Sequence, residues 1–127
     1  PSALAGVANA LPALLRAEKL QKRAARTGFD WPDTAGAIDK IVEELDEVRA
    51  ATTQAERTEE VGDLLFAVVN LARHLKVDPE AALRAGNAKF DRRFRAMEQQ
   101  AGANFTALSL EAKEELWQQA KRQEKTP

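Results

Sequence analysis

The sequence predicts an all-α protein, a four-helix bundle built from two antiparallel hairpins with a terminal helix added. Apolar residues recur at intervals of three and four through 38–48, which is the period of one helix face. Residues 61–75 are apolar on nearly all sides, as in a buried helix. Asp78, Pro79 and Glu80 combine a capping carboxylate, a first-turn proline and an acid, which indicates a helix start.

The first helix is expected over residues 12–27. Pro12 suits a first helical turn, and Gly28 suits the position just past a helix end. The later half of this helix is basic, which is favourable at the negative end of the helix dipole. A role for Arg23 near phosphate groups is the alternative interpretation of that basic cluster.

Two aromatic residues, Phe29 and Trp31, lie in the loop that follows. They could pack as a lid on the core, or they could stack on a nucleobase. The second helix is expected over 34–51 with Asp33 as its cap, and the third over 54–75 after a short polar turn. So short a connection makes the two helices antiparallel neighbours.

The fourth helix is expected over residues 79–101 and the last over 110–124, with Ser109 as its cap. The final residues, 125–127, are expected to be frayed. With 127 residues and 44% apolar content, the chain is predicted to be one domain with a substantial core.

Composition excludes several classes of protein. The chain has no run of about 18 apolar residues, so we expect no membrane partner. It has no cysteine and a single histidine, which excludes thiolate metal sites and argues against a histidine-rich zinc site. The net charge is −1, and the basic residues at both ends are interleaved with acids, so we expect no nucleic acid partner.

Acidic residues form two groups on either side of the turn between the second and third helices. Glu44 and Glu47 are three apart, as are Glu60 and Asp63, so each pair shares a helix face. An antiparallel hairpin would bring these faces together although like charges repel. A hard divalent cation explains the arrangement, because oxygen ligands suit Mg²⁺ or Mn²⁺ better than metals that prefer softer ligands.

The apolar surroundings of the acids on the third helix also favour a metal site. Charges on a helix that is apolar on most sides need partners or a metal, so Glu60 and Asp63 are expected inside a lined cavity. The alternative is a solvated acidic face, which is the ordinary explanation of an acidic run. His74 is interpreted as favourable to the dipole at the helix C-terminus, with a metal or catalytic role as the alternative. One line of positions along this helix is free of large apolar residues: Glu56, Glu60, Asp63, Ala67, Asn70 and His74.

The motif EELDE followed by EVGD resembles the EExxE…ExxD motif of the MazG-type all-α nucleoside triphosphate pyrophosphohydrolases. Four further blocks resemble the second, C-terminal half of two-domain MazG proteins: LPALLRAEKLQKRAARTGFDW, DLLFAVVNLARHL, NAKFDRRF and LWQQAKRQE. The resemblance extends from about Leu11 to Glu124. Residues 1–11 look like the linker that precedes this half, which leaves room for an N-terminal MazG domain in a longer parent chain.

The resemblance implies Mg²⁺-dependent hydrolysis of nucleoside triphosphates to monophosphate and pyrophosphate, in nucleotide-pool housekeeping. It implies a cytoplasmic homodimer, which would also cover the apolar third helix. The metal ligands it implies are Glu44, Glu47, Glu60 and Asp63. The other catalytic residues it implies are Glu43 as a candidate proton acceptor, and Lys89, Arg93 and Lys121 on the phosphates. The substrate-binding residues are Asn87, Lys89, Arg93, Trp117 and Lys121, with Trp31 and Arg23 as further candidates.

Other interpretations stay open. Trp117 and Lys121 share a helix face, which could be core or could be the rim of a pocket. A relative with a narrower substrate, such as a dUTP or phosphoribosyl-ATP pyrophosphohydrolase, would share the fold and the metal site. A non-catalytic helical module would use its acidic helices to bind a partner. A ferritin-like di-iron centre is excluded, because it requires Glu-x-x-His pairs and the chain has none.

Overall fold

The computed structural model describes residues 1–125, and every helix in them is connected by a short loop or turn. The described residues contain no strand, so the predicted all-α class is confirmed. Residues 126 and 127, part of the predicted frayed tail, lie outside the described residues. The elements are α1 (Ala13–Ala25), α2 (Thr34–Ala50), α3 (Gln54–His74), α4 (Pro79–Ala101), a 3₁₀ helix (Gly102–Ala107) and α5 (Leu110–Glu124).

The helix starts follow from the caps that the sequence predicts. The Asp33 carboxylate accepts a hydrogen bond from the backbone N–H of Gly36, 2.9 Å away, at the start of α2. The Ser109 hydroxyl accepts one from the N–H of Ala112, 3.1 Å away, at the start of α5. These oxygens satisfy backbone donors that the first helical turn leaves without a partner. The predicted and observed helix ends agree to within about two residues.

The 3₁₀ helix Gly102–Ala107 was not predicted. Gly102 ends α4 in the left-handed conformation, with φ of 64°, and the chain then tightens into 3₁₀ turns. No side chain caps this short helix. The sequence therefore carried no capping pattern that would have revealed it.

The chain divides into two units, and the first comprises Pro1–Ala82. Within it α3 packs against both α2 and α1. The buried apolar residues of this unit are small or branched: Ala37 of α2, and Ala67 and Val69 of α3. Small side chains let helix axes approach closely, so this packing draws the polar residues on neighbouring faces together.

The second unit begins at Leu83 and contains most of α4, the 3₁₀ helix and α5. Aromatic rings connect its elements. The Phe90 and Trp117 ring centroids are 5.8 Å apart, and the Phe94 and Phe105 rings meet edge to face at 5.3 Å. Met97 and Ala120 are buried in the same unit. The predicted four-helix arrangement and the single domain over 1–127 stay predictions.

The expectation that α3 is buried on most sides is wrong for this chain by itself. Val61, Leu65 and Val68 on α3 are exposed, as are Val42 and Leu45 on α2. The physical reason is that α1 and α2 cover only part of the circumference of α3. None of the described helices combines the length and the apolar character needed to cross a membrane.

Candidate active site

Three carboxylates meet where α2 and α3 run side by side. Glu44 lies on α2, and Glu60 and Asp63 lie one turn apart on α3. One oxygen from each carboxylate lies within 4.8 Å of the others. The short connection at 51–53 places these helices next to each other, as predicted, and the three-residue spacing points both α3 acids to the same side.

Burial within this acidic cluster differs from the sequence expectation. Glu60 and Asp63 were expected inside the protein, but Glu60 is half-buried and Asp63 is exposed. The buried member is Glu44, whose residue is only 7% exposed. The reason is that Glu44 faces the α2–α3 contact, whereas Asp63 stands at the edge of a cavity that opens to solvent.

The carboxylates are close enough to repel one another. Burial, followed by the charges of Glu47, Asp63 and Glu44, raises the pKa of Glu60. Glu47 thus acts on Glu60 electrostatically, although it is not one of the three carboxylates in the acidic cluster. The structure therefore brings together three of the four predicted metal ligands and places the fourth nearby.

Lys40 offsets part of this negative charge. Its Nζ lies 3.0 Å from Glu44 and 3.4 Å from Glu43, one turn further along α2. The hydrogen bond to Glu44 is the main cause that raises the pKa of Lys40. Sequence reasoning missed Lys40, although its spacings of three and four to these acids were readable. Glu43 itself points to Lys40 at the exposed surface and not to the acidic cluster.

The acidic cluster fits a divalent metal ion. In an octahedral Mg²⁺ site the ligand oxygens lie about 2 Å from the metal, so they are separated from one another by roughly 3–4 Å. Oxygens within 4.8 Å of each other need only small side-chain movements to reach that spacing. The donors are all carboxylates, the ligand type that hard cations prefer. The cluster could therefore hold such an ion.

A cavity of about 700 Å³ lies beside the acidic cluster, within the first unit. Glu44, Asp63 and Lys40 contribute to its wall, so the acids and a cation face the same space. The α3 residues Ala67 and Asn70, on the same line of the helix as Asp63, also line it. Its apolar surface comes from Leu4, Leu20, Ala24, Phe29, Trp31 and Phe66.

Gln21 of α1 lies on the cavity wall and was missed by sequence reasoning. Its residue is 6% exposed, and its Nε2 donates a hydrogen bond to the Phe66 carbonyl, 2.9 Å away. That contact ties α1 to α3 and identifies which amide atom is nitrogen. A buried glutamine in a basic, otherwise solvated helix segment has no pattern that distinguishes it from a surface residue.

The aromatic loop, residues 28–32, is attached to α3 through Asp30. Its carboxylate accepts two hydrogen bonds from the Arg73 guanidinium, one of them from Nη1 to Oδ2 at 3.1 Å. The Nε2 of His74 lies 3.0 Å from Oδ1. These contacts, with Arg73 the largest cause, lower the pKa of Asp30 to about 2. His74 therefore pairs with Asp30 at the end of α3, away from the acidic cluster.

The remaining predicted site residues lie elsewhere. Arg23 is turned to the N-terminal segment, where its Nη1 donates to the carbonyls of Ala5 at 2.7 Å and Ala3 at 3.3 Å. It thereby holds the segment that carries Leu4, a residue of the cavity wall. Trp31, in contrast, lines the cavity itself. The structure thus brings Trp31, and not Arg23, to the wall of the cavity that Glu44 and Asp63 also line.

Arg93 and Trp117 meet in the second unit. The Arg93 guanidinium lies 5.2 Å from the centre of the Trp117 ring, and its Nε donates to Glu124 at 2.9 Å. Arg92 donates to the same carboxylate at 3.1 Å. Although burial raises the pKa of Glu124, these two guanidinium groups hold it below its ordinary value.

The other candidates of the second unit are placed as follows. Lys121 is half-buried on α5, four residues after Trp117, so the shared face predicted for them is present. Asn87 and Lys89 are exposed on α4. Their proposed contacts with substrate phosphates stay predictions.

Comparison with known proteins identifies a matching family and similar proteins. The family model described as phosphoribosyl-ATP pyrophosphohydrolase matches residues 18–93, which include the acidic cluster and the aromatic loop. The chain is 51% identical over 131 residues to a protein of Escherichia coli K12 named nucleoside triphosphate pyrophosphohydrolase. That match covers 97% of this chain and 50% of the relative.

A second relative comes from Thermotoga maritima. It is named nucleoside triphosphate pyrophosphohydrolase/pyrophosphatase MazG and is 46% identical over 114 residues, covering 87% of this chain and 45% of the relative. The chain therefore spans about half the length of the curated relatives it matches. The MazG-type resemblance read from the motifs agrees with both matches.

The first prediction concerns Asp30 and pH. Because its folded-state pKa lies below the ordinary value of 3.8, Asp30 stabilises the fold above about pH 4, and this contribution is lost as the pH falls through about 2. We expect Asp30→Asn to lower the free energy of unfolding by about 1 kcal/mol near neutral pH, a value reduced by solvent screening. Urea unfolding between about pH 6 and pH 2 measures the difference.

The difference between wild type and Asp30→Asn should shrink as the pH falls below about 4. Arg73→Gln serves as the matched variant, because it removes the partner and should remove the same pH-dependent part. A difference that stays constant over the whole pH range would contradict this account of Asp30.

Proposed function

We propose a function for this chain from one premise: it belongs to the phosphoribosyl-ATP pyrophosphohydrolase family, as a MazG-type member. The proposed reaction is hydrolysis of nucleoside triphosphates to nucleoside monophosphate and pyrophosphate. The observation that carries the proposal is the cluster of Glu44, Glu60 and Asp63, two of which, Glu44 and Asp63, line a cavity of about 700 Å³. Pockets of this size commonly bind small-molecule substrates.

Two alternatives differ in how well they account for these observations. The family model takes its description from phosphoribosyl-ATP, but the relatives that match 97% and 87% of this chain are named for nucleoside triphosphates. The broader substrate class is therefore preferred over phosphoribosyl-ATP or dUTP. A non-catalytic interaction module has no need of acids that converge beside a cavity. The non-catalytic interaction module is therefore the weaker alternative.

The metal in the proposal is Mg²⁺, with Mn²⁺ as a substitute, held by Glu44, Glu60, Asp63 and, after a side-chain movement, Glu47. When bound, it supplies Lewis-acid chemistry: it neutralises phosphate charge and makes water a better nucleophile. The carboxylates fix its position, and Lys40 restrains Glu44 before the metal arrives. These roles use only the oxygen donors that the acidic cluster offers.

The reaction breaks the bond between the α-phosphoryl group and pyrophosphate, with water supplying the new oxygen. Glu43 is the proposed acceptor of the water proton, after its side chain turns from Lys40 at the exposed surface towards the acidic cluster. The expelled pyrophosphate carries the negative charge. Lys89, Arg93 and Lys121 are proposed to bind its oxygens and so to stabilise the charge that develops in the transition state. Asn87 and Trp117 would help to hold the substrate.

Trp31 is proposed to stack on the nucleobase, because it lines the same cavity as Glu44 and Asp63. Aromatic stacking tolerates every base, which fits a broad nucleotide substrate class. Arg23 is a weaker candidate for substrate contact, since its guanidinium already donates hydrogen bonds to the carbonyls of Ala3 and Ala5. An indirect role through the N-terminal segment is the better proposal for Arg23.

The proposal also includes a homodimer, in the cytoplasm, and an N-terminal MazG domain in a longer parent chain. Exposed apolar side chains at 38, 42 and 45 on α2, and at 61, 65 and 68 on α3, support a second copy as the partner. Each set has the spacing of one helix face. Apolar faces that stay exposed in a single copy are typical of protein–protein interfaces.

The second prediction is that the products are nucleoside monophosphate and pyrophosphate, formed in equal amounts and only with Mg²⁺ or Mn²⁺. Phosphorus NMR of a reaction with each of the common triphosphates, dUTP and phosphoribosyl-ATP gives both the product and the substrate range. Orthophosphate as the first product, or activity that persists in EDTA, would overturn the proposed reaction.

The third prediction tests the metal site. Glu60→Gln or Asp63→Asn relieves repulsion in metal-free protein, so each variant should unfold in EDTA at the same or a higher temperature than wild type. Mg²⁺ should raise the melting temperature of wild type alone, because a ligand stabilises only the state that binds it. Both variants should be inactive. Calorimetry with and without Mg²⁺ measures the effect.

The control for the metal site is Glu59→Gln, which removes a neighbouring charge outside the acidic cluster. It should keep both the response to Mg²⁺ and the activity. Melting differences that ignore Mg²⁺, together with retained activity in the Glu60 and Asp63 variants, would favour the interaction module instead.

The fourth prediction concerns the proposed phosphate ligands. Replacing Lys89, Arg93 or Lys121 with alanine should cost about 2–4 kcal/mol of transition-state stabilisation, which lowers turnover roughly 30- to 10³-fold. Arg95→Ala is the matched control, because its side chain is 75% exposed and pairs with Asp91. Arg92 is less suitable, since it shares Glu124 with Arg93. Equal losses in Arg95→Ala and the other variants would refute the assignment.

The fifth prediction concerns assembly. The chain should be a dimer in light scattering at micromolar concentration, because the apolar faces of α2 and α3 need a partner. Leu65→Arg should give a monomer, while Leu110→Arg, at an exposed position in the second unit, should not. A monomeric wild type would contradict the proposed homodimer.

A further inference from the structure

We propose that Asp30 is a positioning residue that holds the aromatic loop, residues 28–32, against α3 and so sets how tightly the site binds a nucleotide. The proposal rests on the function proposed above, because it assumes that Trp31 contacts the base. Neither the family match nor the names of the relatives assign any role to Asp30. Its contacts and its place beside Trp31 carry the argument.

The aromatic loop is attached to α1 at its start and to α3 through Asp30. Its first residues still hydrogen-bond back to α1, through the N–H groups of Gly28 to Ala25 and of Phe29 to Ala24. Beyond that, Pro32 has no N–H to donate, and the N–H of Trp31 bonds to Asp30 itself, 2.8 Å away. Phe29 is 81% exposed. In the part of the chain that the structure describes, Asp30 makes the polar contact that joins this loop to α3.

The partners of Asp30 are themselves fixed. The Arg73 side chain is 13% exposed, and its Nη2 also donates to Asn70, 2.6 Å away. His74 follows directly on α3, and its side chain is 11% exposed. A planar guanidinium that donates twice to one carboxylate defines both distance and orientation. The loop is therefore attached to a rigid part of the first unit.

The geometry connects Asp30 to substrate binding and not to the bond-breaking step. Trp31 follows Asp30 directly and lines the cavity shared with Glu44 and Asp63. Stacking of a base on an aromatic ring contributes about 1–3 kcal/mol, which corresponds to roughly 5- to 150-fold in affinity. If the loop is released from α3, the stacking contact should be lost, while the residues of the acidic cluster keep their positions. An effect of this kind appears in KM and leaves kcat nearly unchanged.

Kinetics of the full chain test this separation. Asp30→Asn should raise KM for a nucleoside triphosphate by about tenfold or more and leave kcat within about twofold. Arg73→Lys keeps the charge but loses the two-pronged contact, so its KM should be intermediate. Asp33→Asn is the matched control, because it makes the same change of carboxylate to amide three residues away, at a helix cap that asparagine can also form. Its KM should stay within about twofold of wild type.

Fluorine NMR of protein labelled with 5-fluorotryptophan reads the loop directly. The chain has two tryptophans, so Trp31→Phe assigns the signal of Trp31. Asp30→Asn should move that signal towards the solvent-exposed value and weaken its response to a non-hydrolysable triphosphate. Asp33→Asn should change neither. Circular dichroism confirms that each variant is folded, and Arg73→Lys takes the place of Asp30→Asn if the latter does not fold.

The outcomes separate this inference from the function it rests on. Wild type that releases no pyrophosphate would defeat the proposed function, while the fluorine signal in ligand-free protein would still report whether Asp30 holds the loop. An unchanged Trp31 signal and KM in Asp30→Asn would overturn the positioning role. A fall in kcat with unchanged KM would also overturn it, because Asp30 would then act in the chemistry.

Discussion

The repulsion among Glu44, Glu60 and Asp63 is the constraint on which the site depends. Three carboxylates within 4.8 Å of one another are unfavourable unless other interactions hold them there. The packing of α2 on α3, with Ala37 and Ala67 buried, opposes this repulsion and keeps the two acidic faces together. The arrangement costs stability in the metal-free chain, and a divalent cation would reverse the sign of the interaction. A cation bound by the acidic cluster would therefore offset the repulsion that the hairpin packing imposes.

Two charge pairs shape the cavity beside the acidic cluster. Lys40 neutralises part of the charge of Glu44 from one turn away, so the buried acid is not left uncompensated. On another part of the wall, Asp30 and Arg73 tie the aromatic loop to α3. The first pair is local to one helix and the second connects segments 43 residues apart. Together they give the cavity a wall that carries acids and a cation and a wall that carries aromatic rings.

The helices that carry the acids also have apolar faces that a single copy leaves exposed. The chain spans about half the length of its relatives, and the faces at 38, 42 and 45 and at 61, 65 and 68 are open in a single copy. A second copy would bury them next to the hairpin that carries the acids. The cations Lys89, Arg93 and Lys121 lie in the second unit, where Arg93 is already engaged by Glu124 and Trp117. In the proposed function, substrate phosphates would compete with the Glu124 carboxylate for the Arg93 guanidinium.

The sequence by itself determined the helices, their caps and the face that each acid occupies, because these depend on residues three or four apart. It could also have revealed Lys40, whose partners are equally near. Only the tertiary structure decided that Glu44 is the buried acid and Asp63 the exposed one, that Arg23 serves backbone carbonyls, and that Asp30 meets Arg73. The physical reason is that burial and long-range pairing depend on which helices cover one another. No periodicity within a single helix encodes that.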